Sequence, residues 1–525
     1  MSLDYKIIVG LEIHVQLATK TKMFCGCELA YGHAPNTRVC PVCIGMPGAL
    51  PVLNKAAVEF GILTGLALNC DIARFTKWDR KSYYYPDLPK NYQISQYDLP
   101  ITENGYLDIL LDDGTTKKIR IRRAHLEEDA GKNVHTFGNY SGVDLNRSCT
   151  PLLEIVTEPD MNSPAEVRLA AQELQRIVRY LGVSEADMQK GHMRFEPNVN
   201  LHITRGGQVF KTPITEVKNL NSFRAIERSI AYEVNRQLDE FLTTGKTMQM
   251  GNKSTYGWDD VNQQTVLQRE KEEAHDYRYF PDPDLVPVVV SDQWLEEIKA
   301  RLCELPLAIQ KRFVGDYGLS DYDAQVLTGE KATGVLFDAA VRCGGDPKRV
   351  CNLLTQTGLK LANERQTTVD ALGVSPEHLA VLAKMTDEGQ ISATSAAVIF
   401  EEMTRSGGDP AQIAEAKNLI QKSDTGEIEA LVEQVLAELG GVEAAVAVPG
   451  EALHVAVAEA VDGRAGRGIA GGGCAFRGEP EDPRTGVVVE ADTPQRLGEI
   501  GDADAVTGQR ETPRGAGPRT HSPIY

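Results

Sequence analysis

The stretch from Ile7 to Leu17 places Ile7, Val9, Leu11, Ile13, Val15 and Leu17 at every second position, with Glu12, His14 and Gln16 between them. A period of two is the spacing of side chains on a pleated strand. It predicts a β-strand with one aliphatic face and one polar, chemically reactive face. The same alternation recurs where Lys118, Arg120 and Arg122 interleave with Ile119 and Ile121, and where Phe195, Val199 and Leu201 interleave with Glu196, Asn198, Asn200 and His202. Strands of this kind dominate residues 1–290 and predict an α+β domain. One helix inside it is well signalled. Ser163-Pro164-Ala165-Glu166 is a capping box with proline at the first helical position, followed by Val167, Ala171, Leu174, Val178 and Leu181 and stopped by Gly182.

From about Ser291 the pattern becomes helical. Trp294–Leu305, Asp321–Leu336, Lys348–Leu361 and Glu377–Lys384 read as helices, and Asp409-Pro410 opens a further helical stretch reaching about Leu439. Helices following a strand-rich region predict separate domains: 1–290, an all-α domain at 291–408, and the beginning of another unit at 409–440. Beyond Gly440 the chain has eight arginines, no lysine, and abundant Gly, Ala, Val and Pro. That composition predicts an atypical, poorly structured tail over 441–525. It is also what GC-rich DNA read out of frame would encode.

The 525 residues carry 55 Lys+Arg against 74 Asp+Glu, a net charge of −19. This excludes a globally basic nucleic-acid binder and restricts any RNA contact to a local patch. No secretory leader is expected at Met1–Lys6, and no apolar run is long enough to span a bilayer, so a cytoplasmic protein without membrane contact is expected. Ten cysteines in such a compartment favour metal over disulfide.

Four of them form a pattern. Cys25 and Cys27 are followed, after twelve intervening residues, by Cys40 and Cys43. Two close thiolate pairs predict a closed, structural Cys₄ zinc site, with Pro41 and Gly45 suited to its tight turn. A second signal is distributed over several strands. Glu12, His14 and Gln16 share a face, as do Arg123, His125 and Glu127, and as do Glu216 and Lys218; Glu196 leads the polar face of its strand. Glu154 sits within the apolar run Pro151–Val156, where a lone charge is costly unless paired or metal-bound. On one sheet these groups would line a bowl suited to Mg²⁺ and nucleotide phosphates. On separate sheets they are solvated polar faces.

Two further segments could contact nucleic acid: the aromatic and basic run Lys77–Asp87, and the stripe Lys117–Arg123. Each is equally compatible with packing or a solvated strand face. Two nucleotide motifs fail. Gly245-Lys246-Thr247 ends like a phosphate loop but has Glu240 where the first glycine belongs, and Gly466–Gly471 matches G-x-G-x-x-G without a βαβ unit around it. An ATP site here must be of another type.

Taken as an ordered set, several blocks resemble one family. They are Val9–Leu17; Asp79-Arg80-Lys81 with Tyr84-Tyr85-Pro86-Asp87; Tyr92–Gln96; His125–Lys132; Val143–Arg147; Thr150–Val156; Lys218–Phe223; and His275–Pro281. Together they closely resemble the B subunits of bacterial aspartyl/glutamyl-tRNA amidotransferases, over about residues 5–440. The resemblance implies a first domain with the fold of glutamine synthetase and guanido kinases, then a helical domain and a tRNA-gripping tail. It implies a heterotrimer with an amidase A subunit, which releases ammonia from glutamine, and a small C subunit. ATP would phosphorylate the side-chain carboxylate of Glu-tRNA(Gln) or Asp-tRNA(Asn), and ammonia would displace phosphate to give Gln-tRNA(Gln) or Asn-tRNA(Asn). By similarity His14, Glu127 and Glu154 would bind Mg²⁺ with Glu12 beside them. Lys81, Tyr84, Tyr85, Glu196, Glu216 and Lys218 would lie near the nucleotide or the aminoacyl end, and the four cysteines would match the family's zinc knuckle. The chain departs from the family at Arg194-Phe195-Glu196-Pro197-Asn198, where the family commonly has Arg-Cys-Asp-Ala-Asn, and in Arg269–Glu273. The family's lysine-rich tail helices are missing after Leu439. The contrasting reading is a non-catalytic, zinc-containing tRNA-binding protein derived from this family.

Overall fold

The computed structural model describes residues 4–421 except 30, 250–252 and 272–276, together with residue 434. The tail predicted for 441–525, and the Gly466–Gly471 motif, lie outside the described residues.

A ten-stranded sheet organises the first 270 residues. Its strands run in the order Gln264–Lys271, Lys253–Asp259, Thr215–Lys218, Met193–Arg205, Asp4–Gln16, Pro151–Thr157, Thr116–Glu128, Thr102–Leu110 and Asp71–Ile72, with Gln208–Lys211 paired to Met193–Arg205. All pairings are antiparallel except Thr215–Lys218 with Lys253–Asp259. The first strand is therefore central, and its alternation is realised: Val9, Leu11, Ile13 and Val15 are buried while Glu12, His14 and Gln16 turn to the other face.

Three helices cover the aliphatic face. Pro164–Tyr180 starts as the capping box predicts, with Ser163 Oγ accepting from the Glu166 N–H at 3.1 Å, but the Glu166 carboxylate accepts from the Asn162 N–H rather than that of Ser163. Lys55–Ala67 and Phe223–Thr244 are helices that periodicity did not indicate. Lys55–Ala67 is apolar on nearly every side because it is buried between layers, so it lacks the contrast that marks a surface helix. Its glycines allow the close approach. A Cβ at Gly65 would lie 2.3 Å from Thr102 Cγ2, and one at Gly61 would lie 3.2 Å from Leu126 Cδ2. Gly245 is the left-handed C-cap of Phe223–Thr244 at φ +70°, which accounts for the phosphate-loop-like Gly-Lys-Thr without any phosphate.

A small sheet of Phe280–Pro281, Asp79–Ser82 and Tyr92–Ser95 stands beside the polar face. It is tied there by the Ile94 N–H donating to Glu128 Oε1 at 2.8 Å and by Leu126 N–H donating to Gln96 Oε1 at 3.0 Å.

The remaining elements are helical, with corrections to the predicted boundaries. Asp292–Lys299 ends well before Pro306, which opens a separate helix to Tyr317. The stretch 321–336 is two helices, Asp321–Leu327 and Lys331–Arg342, separated by a short break that contains Gly329. Pro347–Glu364 is continuous but contains a π-helical turn at Leu353–Gly358. Pro376–Asp387 matches its prediction, and Ala393–Ser406 is a further helix. The helix opened by Asp409 closes at Ala416, and the rest of the stretch expected to reach about Leu439 lies, apart from residues 417–421 and 434, outside the described residues. Two buried apolar clusters result, one spanning Val9 to Ile298 and the other Phe313 to Ala414. Each fully buried Leu, Ile or Phe contributes roughly 1.5–3 kcal/mol. The clusters are bridged by the Tyr180 hydroxyl donating to Thr328 O at 2.9 Å and by the Lys331 ammonium donating to Tyr180 O at 2.7 Å. No helix among the described residues is long and apolar enough to cross a membrane.

Candidate active site

The strands bearing Glu12 and His14, Glu154, His125 and Glu127, Glu196, and Glu216 and Lys218 all belong to the one sheet, so the bowl reading holds geometrically. Register does the gathering. His14 is paired with Glu154 on one side and Arg194 on the other, and Glu154 is paired in turn with His125. Directly paired residues point to the same face, so four strands deliver Arg194, His14, Glu154 and His125 as one row. The next row along holds Glu12 opposite Glu196.

His14 Nε2 lies 3.5 Å from Glu127 Oε1, 3.5 Å from Glu154 Oε2 and 4.0 Å from Glu12 Oε1. His125 Nε2 lies 3.6 Å from Glu154 and 3.8 Å from Glu127. Ser95 Oγ, from the small sheet, donates to Glu127 Oε2 at 3.3 Å. Glu127, Glu154 and His125 are all buried.

The electrostatics follow from crowding carboxylates away from water. Glu12 is pushed up to about 7, first by burial and then by Glu154, with Glu196 and Glu216 adding and His14 opposing. Burial alone would lower His14, but the hydrogen bond and charge of Glu154 and the charge of Glu127 lift it to about 9. Burial works against ionisation of Glu154 and Glu127 too, yet both are held below the usual carboxylate range, Glu154 by His125 and His14 and Glu127 by His125, Lys81 and His14. The cluster thus attracts positive charge, whether as protons or as a cation. Two overlapping groups place their ligand atoms within 4.8 Å of one another: Glu12, His14 and Glu154, and His125, Glu127 and Glu154. Opposite ligands of an octahedral Mg²⁺ are about 4.2 Å apart. Carboxylate and imidazole donors at this spacing fit a hard divalent cation.

Lys81 comes from the small sheet, its ammonium 5.1 Å from the centre of the Tyr277 ring. Burial disfavours its charge, but Glu127 and then Tyr279 and Glu154 raise its pKa. Glu196, Glu216 and Lys218 form an adjoining group. The Lys218 ammonium donates to Glu196 at 2.7 Å and lies 3.5 Å from Glu216, which also accepts from Thr255 Oγ1 at 3.0 Å. Tyr84 and Tyr85 are exposed, at 85% and 61%. Their neighbour Tyr83 turns inward, its hydroxyl 3.2 Å from Gln93 Oε1.

Sequence reasoning passed over Arg194, which donates to Asp129 at 2.8 Å while its Nε is buried with no hydrogen-bond partner among the described residues. His125 was placed among the groups lining the bowl but outside the metal set; its Nδ1 is likewise buried and unpartnered among the described residues. Alternation placed His125 on the right face, and the Arg194 strand register would have exposed the other.

The aromatic and basic run divides. Trp78 is core, its ring 5.2 Å from Phe24, and Arg80 is held by Asp282 and Asp284. The stripe Lys117–Arg123 is largely neutralised within the chain, Lys117 by Glu166, Arg120 by Asp160 and Arg122 by Glu158.

Away from this site, the sulfurs of Cys25, Cys27, Cys40 and Cys43 lie within 4.8 Å of one another. A tetrahedral zinc with bonds of about 2.3 Å sets its sulfurs about 3.8 Å apart, so the four fit one. The turn closes as Met46 N–H donates to Pro41 O at 2.8 Å, with Gly45 at φ +69°.

Comparison with known proteins adds to this geometry. The GatB/GatE catalytic domain model matches residues 7–296, more than half of the 525, and the GatB domain model matches residues 335–457. Several proteins named as the B subunit of aspartyl/glutamyl-tRNA(Asn/Gln) amidotransferase are similar in sequence over most of the chain. The one from Carboxydothermus hydrogenoformans is 47% identical over 439 residues, covering 83% of this chain and 90% of the relative. That from Geotalea daltonii is 47% identical over 443 residues, covering 84% and 91%, and that from Geobacter sulfurreducens is 46% identical over 446 residues, covering 84% and 92%.

Proposed function

The chain belongs to the family of aspartyl/glutamyl-tRNA(Asn/Gln) amidotransferase B subunits, and from that membership we propose that the polar face of its large sheet is where the side-chain carboxylate of Glu or Asp on tRNA is activated and amidated. The observation that carries the site assignment is the buried row in which His14 faces Glu154 and Glu154 faces His125, with Glu127 beside it. A non-catalytic tRNA-binding protein would gain nothing from keeping this costly donor set intact.

His14, Glu127 and Glu154 would hold Mg²⁺, with Glu12 at its side. When bound, the ion offsets phosphate charge and orients phosphoryl transfer. The chain's own groups do the rest. A carboxylate is a poor electrophile, and its conversion by ATP to an acyl phosphate supplies a leaving group that ammonia can displace. Lys81 brings a cation to Glu127 and Glu154, where the transferred phosphoryl group must pass. Glu196, Glu216 and Lys218 continue the face and are assigned to the nucleotide. Exposed Tyr84 and Tyr85 are assigned to the nucleotide or the aminoacyl end of tRNA.

The sheet with helices on one face and an open polar cradle on the other supports a glutamine synthetase-like fold, and the separate apolar clusters support a distinct helical domain, with helix Asp292–Lys299 of the expected 291–408 unit packing instead into the first cluster. The four cysteines are assigned to structural zinc. An amidase A subunit would supply ammonia and a small C subunit would complete the heterotrimer. The assembled complex, given Glu-tRNA(Gln) or Asp-tRNA(Asn), ATP and ammonium, should form Gln-tRNA or Asn-tRNA only when ATP is present. Product formation without ATP, or no product at all, would remove the assignment.

A further inference from the structure

Lys22 is fully buried, at 0% exposure. Its backbone is fixed at the entrance of the cysteine loop, the N–H donating to Cys27 O at 3.0 Å and the carbonyl accepting from Asn54 Nδ2 at 3.2 Å. Its ammonium reaches a single polar atom among the described residues, Cys43 Sγ at 3.7 Å. The same sulfur also accepts from the Cys40 N–H at 3.1 Å. No carboxylate among the described residues is bonded to this lysine.

An isolated buried ammonium is costly, and a neutral thiol is too weak a partner to offset that. The arrangement makes sense if Cys43 carries negative charge. Four thiolates around one Zn²⁺ sum to −2, and the two donors converging on Cys43 mark it as the sulfur where the excess is felt. We propose that Lys22 is the built-in counter-cation of the Cys25–Cys27–Cys40–Cys43 metal centre, reducing its net charge to −1 and binding the metal into the protein electrostatically. The inference rests on the assignment of zinc to these cysteines. Its distinctive consequence is state dependence: Lys22 stabilises the metal-loaded protein, and gives no such benefit to the metal-free one, where the metal-centre charge it faces is absent.

The test compares wild type, Lys22→Met and Lys22→Arg in the full-length chain within its complex. Methionine keeps most of the stem volume and removes the charge; arginine keeps the charge. Zinc content, zinc transfer to a chromogenic chelator, and melting temperature with and without zinc are measured. Lys22→Met should give up zinc about tenfold or more faster, the scale seen when a partner outside the ligand shell is removed. Lys22→Arg should stay closer to wild type. The loaded Lys22→Met protein should melt lower than loaded wild type, while the stripped variant should melt no lower than stripped wild type. Equal loss of melting temperature in both states would show that Lys22 only fills space, and unchanged zinc retention would equally overturn the proposal. If Lys22→Met does not accumulate, Lys22→Gln is read the same way. Wild type that holds no zinc would instead sink the metal assignment itself.

Discussion

His14 and Glu154 are partners twice over: they are paired in the register of two central strands, and the imidazole Nε2 stands 3.5 Å from the carboxylate. Backbone pairing sets the distance before any side-chain rotamer is chosen. Glu127 enters diagonally from the next strand but one, reaching the same imidazole nitrogen at 3.5 Å.

Substituting Glu127→Gln should therefore leave the fold intact and remove one charged donor from the centre of the cluster. Gln-tRNA formation by the complex should fall on the order of a hundredfold or more, as for other principal electrostatic groups. Glutamine hydrolysis by the partner amidase should persist, since its site is on another chain. A rate near wild type would exclude Glu127 from the metal set.

Cys40→Ser should act differently. It removes one sulfur from a closed site, so zinc content and melting temperature should both fall. Whatever activity survives should scale with the folded fraction. Full zinc occupancy in carefully purified Cys40→Ser protein would contradict the assignment.

The helical region offers a packing test. Phe337 is fully buried and meets Phe313 edge-on at 4.7 Å between ring centres. Phe337→Ala should destabilise the region by about 3–5 kcal/mol through lost burial and the remaining cavity. Denaturant unfolding checks this, and a cost below about 1 kcal/mol would mean that the core collapses around the gap.

Asp338 supplies a pH dependence. Burial opposes its charge, but Arg312 and the Tyr317 hydroxyl, with Arg342 adding, hold the carboxyl below its usual 3.8. A depressed folded-state pKa means stability that is present above the unfolded value and is lost as pH falls through the lower folded one. Asp338→Asn should be less stable than wild type near neutrality, and the gap should close in acid. Unfolding curves at about pH 7 and below about pH 3 make the comparison. A gap that stays constant would show that the ion pairs contribute nothing net.

Much of this was legible because alternation is a strong local signal. Ile7–Leu17 announced both the aliphatic face and the side on which Glu12 and His14 stand. Glu154 announced itself as an unpaired charge in an apolar run. What alternation cannot convey is which strand lies next to which. Arg194 and His125 gained significance only when strand order placed them beside His14 and Glu154. The helix Lys55–Ala67 was hidden for the opposite reason, being buried on too many sides to show a period. The helices after Ser291 were detected as a class, but their ends were not: the first stops at Lys299, well before Pro306 opens the next, and a break containing Gly329 separates Asp321–Leu327 from Lys331–Arg342.

The row linking strands 4–16, 151–157 and 116–128 also restricts how such a gene can change in length. Adding or deleting one residue between Val9 and His14 would send His14 through the sheet to the aliphatic side and bring Ile13 or Val15 into its place. The same holds around Glu154 and His125. Length variation among descendants of this chain should therefore collect in the connections, such as the hairpin of Lys132–Phe137 and Tyr140–Asp144, which lies outside the large sheet. Insertions there leave the strand count between chemical groups untouched, while a single codon gained within the central strands would move the site to the wrong side of the molecule.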